Sequence, residues 1–128
     1  MNPLLPATGL SLGRLVGLVT VALALGGGQL LFKLAAQRLV VDRGFGALLG
    51  SFLTTPMAAS LLVYAGATVL WVYLLHGFPL SRAYPFVALA FALVPLLSWL
   101  VFGEALGIRY AVGLTLMLCG LYVIATAN

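Results

Sequence analysis

The sequence predicts an all-α membrane protein of four transmembrane helices, forming one domain over residues 1–128. Of its 128 residues, 64% are hydrophobic and 6% charged, whereas soluble domains carry about a quarter charged residues. Charges fall at Arg14, Lys33, Arg38, Asp42, Arg43, Arg82, Glu104 and Arg109, leaving uncharged stretches at 15–32, 44–81, 83–103 and 110–128. A helix needs about 20 residues to cross ~30 Å of hydrocarbon, so each stretch can hold a span. Transmembrane barrels require strands of about ten residues alternating polar with apolar; these segments are apolar on every face.

The first span is expected at about 13–36. Its apolar run from Leu15 to Phe32 outlasts a signal peptide's hydrophobic region and contains Gly26, Gly27, Gly28 and Gln29, so it reads as a retained helix. Gln29, Lys33 and Gln37 recur every four residues and stack along one face. A lysine at mid-membrane costs roughly 2.5–3.5 kcal/mol, a cost tolerated for an anionic partner or a wet cavity. The alternative is that Lys33, near the helix end, extends its amine to the headgroups. Gln29, one turn deeper and shorter, favours a functional stripe.

Residues 44–56, rich in Gly, Ser, Thr and Pro, read as a loop, and continuous apolarity from Met57 to Leu75 places the second span at about 56–76. His76 closes it with no second histidine, cysteine or carboxylate at ligand spacing, so no metal site is expected. The third span, about 80–102, opens Phe78-Pro79-Leu80-Ser81-Arg82-Ala83-Tyr84-Pro85. Pro79 suits a first turn, while Pro85 and Pro95 should bend or locally open the helix. Arg82 at the entry is either a two-pronged phosphate ligand or an interfacial anchor. Glu104, after Gly103, reads as a solvated loop carboxylate at the rim, and Arg38 as a second rim residue. The fourth span, about 105–126, holds the lone Cys119, which excludes an internal disulfide. Gly113 and Gly120 share one of its faces and suit close helix contact, as do Gly13 with Gly17 and Gly46 with Gly50.

The net charge of +4 is spread over the connections and forms no stripe for tracking phosphates, which argues against a nucleic-acid partner. The basic residues instead set topology and meet anionic lipid. Lys33, Arg38, Arg43 and Arg109 fall on one side of the membrane, Arg14 and Arg82 on the side of the termini. That imbalance favours a cytoplasmic location for the larger group, by a narrow margin. No nucleophile and base pair is discernible, and neither an enzyme activity nor a cofactor is expected. Four helices make a thin bundle, and transporters usually place their path between two repeats, so transport implies a homodimer or a heterodimer with a related four-helix subunit.

These residues resemble a known family. Phe78 to Ala125 looks like the second half of the small multidrug resistance fold of the drug/metabolite transporter (EamA-like) superfamily, most specifically in Pro79 through Tyr84, Leu97-Ser98-Trp99, Gly103-Glu104 and the Gly113 to Gly120 spacing. In that family the last helix forms the dimer contact, a role the resemblance carries to Gly113 and Gly120. Tyr64 matches the family's second-helix tyrosine. The proton-coupled exporters carry an essential glutamate two turns before the position of Lys33, where this chain has Leu25, and an aromatic where it has Val87. No carboxylate is left inside a span to bind a proton or a cationic drug.

Gly28-Gln29 with Lys33, Ala83-Tyr84-Pro85 and Gly103-Glu104 instead look like the subunits that flip aminoarabinose linked to undecaprenyl phosphate. The resemblance implies a multi-pass protein of the bacterial inner membrane and an anionic lipid-linked substrate, whose head would meet Gln29, Lys33, Tyr64, Arg82 and Tyr84. The rival expectations are a proton-coupled small multidrug antiporter and an accessory subunit that transports nothing.

Overall fold

The structure, a computed structural model, describes residues 10–127; the rest of the expected 1–128 domain lies outside the described residues. Helices α1 (Leu12–Ala36), α3 (Thr55–Leu75), α4 (Leu80–Phe102) and α5 (Ile108–Thr126) correspond to the four expected spans, and each is long and apolar enough to cross a membrane. Ser11 caps α1 by accepting the Arg14 N–H at 3.3 Å, and Pro56 occupies the first turn of α3, where its missing donor is not needed. The fourth span begins three residues later than expected, after Gly107.

Residues 45–52 are not loop. They form α2 (Phe45–Phe52), entered through Gly44 at φ +89°. Phe45, Leu48, Leu49 and Phe52 fall at the helical spacing i, i+3, i+4, i+7, which outweighs the glycines that suggested an irregular segment. Ser51 ties α2 to the preceding connection: its hydroxyl donates to the Leu48 carbonyl at 2.7 Å and accepts the Val40 N–H at 3.2 Å. The exposed Phe45, Leu49 and Phe52 make a short apolar face suited to the membrane surface.

Helix α1 is the hub. Gly17 meets Leu74 and Gly28 meets Tyr64, so α3 runs antiparallel to it; Gly26 meets Leu93 and Lys33 meets Phe102, so α4 runs parallel. The absence of side chains at Gly26 and Gly28 is what lets Leu93 and the Tyr64 ring lie on the α1 backbone, since a Cβ at either place would collide with them. A tight apolar core of Leu18, Val21, Leu74, Phe78 and Ala83 fills the end nearest the start of α1, with Leu25, Leu70, Trp71 and Phe86 packed around it. Arg14 lies over the Phe78 ring there, 5.5 Å from its centroid.

Helix α4 stays continuous through Pro85 and Pro95, so the expected opening is absent. Each proline withholds the N–H that would reach the carbonyl four residues back, that of Ser81 or Phe91. Gly103 ends α4 in the left-handed conformation at φ +67° and turns the chain back toward the bundle. Helix α5 packs only lightly, against α4, and buries none of its residues. Nothing approaches Gly113 or Gly120, whereas Gly17 is used inside the bundle.

Candidate functional site

The apolar core occupies one end of the bundle; polar groups gather at the other. Gln29 and Lys33 stand one turn apart on α1, about 10 and 5 Å from its end at 1.5 Å per residue. The Gln29 Nε2 donates to the Tyr64 hydroxyl oxygen at 2.6 Å, and the Tyr64 O–H points back to the Leu25 carbonyl at a long 3.4 Å. The Tyr64 ring also lies against Phe32, centroids 5.1 Å apart and planes tilted by 48°. Tyr64 therefore braces the glutamine from the α3 side.

Lys33 is not simply extended into the headgroups. Its ammonium pairs with Glu104 Oε1, while the Ser98 hydroxyl donates to Oε2, so one carboxylate joins α1 to α4. The same ammonium lies 5.4 Å from the centroid of the Phe102 ring, within cation–π range. Glu104 was expected as a solvated loop carboxylate; the left-handed turn at Gly103 instead folds it over the last turns of α4. Its pKa is held below the usual carboxylate value of 4.5, first by the hydrogen bond from Lys33 and then by that from Ser98. The pair is open to the outside all the same, with side chains 44% and 42% exposed.

Gln29, Phe32, Lys33, Ser98, Phe102 and Glu104 line a cavity of about 410 Å³ between α1 and α4. That volume lies within the ~300–1,000 Å³ typical of ligand sites. Apolar walls with one cation, one anion, an amide and a hydroxyl suit a small polar head attached to something that remains in lipid.

Of the residues singled out in the sequence, Gln29, Lys33, Tyr64 and Glu104 come together here. Arg82 and Tyr84 do not join them: they sit at the start of α4, twenty residues and about 30 Å of helix from Phe102. Tyr84 there meets Trp71 edge-on, centroids 6.2 Å apart, and Arg82 is exposed beside the Arg14 end. Arg38 is exposed in the turn after α1. Ser98 and Phe102 line the cavity without having been singled out as site residues. Their signal was available, since Val94, Ser98 and Phe102 recur every four residues on one face of α4.

No family model matches the chain, and no solved structure matches it. Curated proteins do. The chain is 32% identical over 101 residues to the probable 4-amino-4-deoxy-L-arabinose-phosphoundecaprenol flippase subunit ArnE of Enterobacter sp. (strain 638), covering 79% of this chain and 86% of that protein. It is 30% identical over 115 residues to the protein of the same description from Salmonella paratyphi C (strain RKS4594), covering 88% and 99%. A third, from Sodalis glossinidius (strain morsitans), is 36% identical over 64 residues, half of this chain and 58% of its own length. With four helices able to span a membrane and similarity over almost the whole of such a relative, the chain belongs to the ArnE family of probable flippase subunits.

Proposed function

We propose that the chain is one subunit of a flippase that carries a polyprenyl-phosphate-linked amino sugar across the bacterial inner membrane, with the α1–α4 cavity receiving the head. The observation that carries this reading is the ammonium of Lys33, set about one turn inside the end of a span on the wall of a cavity that opens outward. A cation in that place is costly unless an anion meets it; in this structure Glu104 does so from outside the helix, and the phosphate of a lipid carrier is an anion that could take its place. Gln29 and Ser98 add hydrogen-bonding groups for the sugar, while the apolar α1 and α4 surfaces leave the polyprenyl tail in lipid.

The proposal includes no chemical step, in keeping with relatives described as flippase subunits rather than enzymes. The word subunit in those descriptions, together with an α5 that buries nothing inside the chain, supports assembly with a second four-helix chain, identical or related. Arg82 and Tyr84, one membrane thickness away, would then serve the head at the opposite face or an interface, and not the same bound state as Lys33.

The test is native mass spectrometry of the protein extracted gently from its own membranes, recording subunit stoichiometry and retained lipid for wild type and Lys33→Ala. A polyprenyl phosphate or its glycosylated form, present in wild type and lost in the variant, is the expected result. Retention unchanged by Lys33→Ala would overturn the site assignment, and no such lipid in either protein would overturn the function.

A further inference from the structure

The cavity presents one cation and one anion, and in this structure each satisfies the other. A site built for a phosphate alone would be poorly served by this arrangement. The phosphate would have to displace Glu104 from Lys33, and the freed carboxylate would then face the incoming negative charge across the same small space. A head carrying both charges avoids the conflict. Its phosphate takes the place of Glu104 at Lys33, its ammonium takes the place of Lys33 at Glu104, and every charge remains paired.

Resting on the lipid-carrier reading above, we infer that Lys33 and Glu104 form a bipolar selectivity site for a zwitterionic head, Lys33 binding the phosphate and Glu104 the ammonium group of an amino sugar. Three features of the molecule support the exchange. The two groups come from different elements, Lys33 from α1 and Glu104 from the turn after α4, so they can separate far enough to admit a sugar ring between them. Both side chains are close to half exposed, so no packed neighbours lock the pair in place. Ser98 keeps one carboxylate oxygen oriented when Lys33 departs, and a carboxylate has about four acceptor positions, enough for an ammonium as well as the serine.

Glu104 is thereby a specificity residue: it excludes carriers that bear phosphate without an amine and admits those that bear both. The Ser98 hydrogen bond, which favours the ionised carboxylate, stays in place when Lys33 departs, and the incoming ammonium favours it as Lys33 did. Uncharged amides at the two positions would offer hydrogen bonds without sign and could not discriminate in this way.

The experiment uses the protein with whatever subunit co-purifies, placed in nanodiscs and titrated with three synthetic lipids. They are a polyprenyl phosphate bearing a 4-amino pentose, the same lipid with its amine N-acetylated, and the unglycosylated polyprenyl phosphate. Wild type is expected to bind the free-amine lipid about tenfold or more tightly than the acetylated one, the order of magnitude of one charge-assisted hydrogen bond. Glu104→Gln should abolish that preference while binding the unglycosylated phosphate at least as well as wild type does, because the internal competitor for Lys33 is gone. Misfolding cannot produce that pattern of one loss and one gain. Lys33→Gln should weaken all three. Equal binding of the amine and acetylated lipids by wild type, a preference that survives Glu104→Gln, or a uniform loss in Glu104→Gln would each overturn the inference while leaving the lipid-carrier reading in place. Failure of wild type to bind any of the three would overturn both.

Discussion

Adjacent glycines on α1 give a direct measure of how closely Tyr64 packs. A Cβ added at Gly28 would collide with the Tyr64 ring, whose Cδ2 would lie 2.8 Å away and its Cε2 closer still, while one added at Gly27 would meet nothing within 4 Å. Both positions lie in the interior of one helix, so Gly→Ala brings each the same gain in helix propensity, about 1 kcal/mol. At Gly27 that gain stands alone, and Gly27→Ala is expected to be neutral or stabilising by up to about 1 kcal/mol. At Gly28 it is opposed by overpacking against a ring that is also held by Gln29 and Phe32, a cost of about 1–3 kcal/mol. The two variants should therefore differ by about 1–3 kcal/mol, with Gly28→Ala the less stable. Equilibrium unfolding in mild detergent, followed by tryptophan fluorescence, measures the difference. Equal stability of the two would refute the contact and with it the bracing of Gln29 by Tyr64.

Two further outcomes follow from the turn that carries Glu104. Gly103 sits at φ +67°, so Gly103→Ala should lose about 1–2 kcal/mol for a left-handed L-residue, while Gly107→Ala, at φ −68° with open space around it, should lose little; the same unfolding assay compares them. Glu104 titrates below its usual 4.5, so folding stabilises its ionised form. Its contribution is complete above about pH 4.5 and is lost as pH falls through the depressed value. Unfolding profiles from neutral pH to about pH 3 should show an acid limb in wild type that shrinks in Glu104→Gln and moves to higher pH in Ser98→Ala; superimposable limbs in wild type and Glu104→Gln would contradict the pairing.

The spans were legible because hydrocarbon imposes a length and a composition that the charge-free stretches meet without help from tertiary contacts. The short α2 is masked in the sequence because Gly44, Gly46 and Gly50 weigh against a helix by propensity, while the i, i+3, i+4, i+7 placing of Phe45, Leu48, Leu49 and Phe52 carries the contrary signal. Gln29 and Lys33 stood out as polar residues on an apolar helix. The pairing of Lys33 with Glu104 was recoverable by counting spans: one lies at the end of the first and the other just after the third, so the two crossings between them return the chain to the same side of the membrane. What the count could not supply is the left-handed turn at Gly103 that brings the carboxylate inward, or Ser98 as its second partner, because both depend on how α4 docks against α1. The grouping of Arg82 with Lys33 follows from the opposite omission. Each is a plausible phosphate ligand by residue type, but they cap opposite ends of parallel helices.

The placing of Glu104 also bears on how transport is driven. A proton-coupled exporter needs a carboxylate whose pKa lies near the pH of the compartments it joins, so that it gains and loses a proton during each cycle; desolvation inside a span is the usual way to raise it. By the resemblance to the exporters Leu25 stands where they have that glutamate, and the carboxylate at this cavity lies elsewhere, with its pKa moved the other way. Glu104 lies beyond the end of α4, in contact with Lys33 and Ser98, and both contacts lower its pKa from 4.5 rather than raising it. The arrangement therefore favours its ionised form, the reverse of what desolvation does to a proton carrier's carboxylate. A carboxylate held in its ionised form beside an ammonium is arranged to select a head by charge rather than to take up a proton.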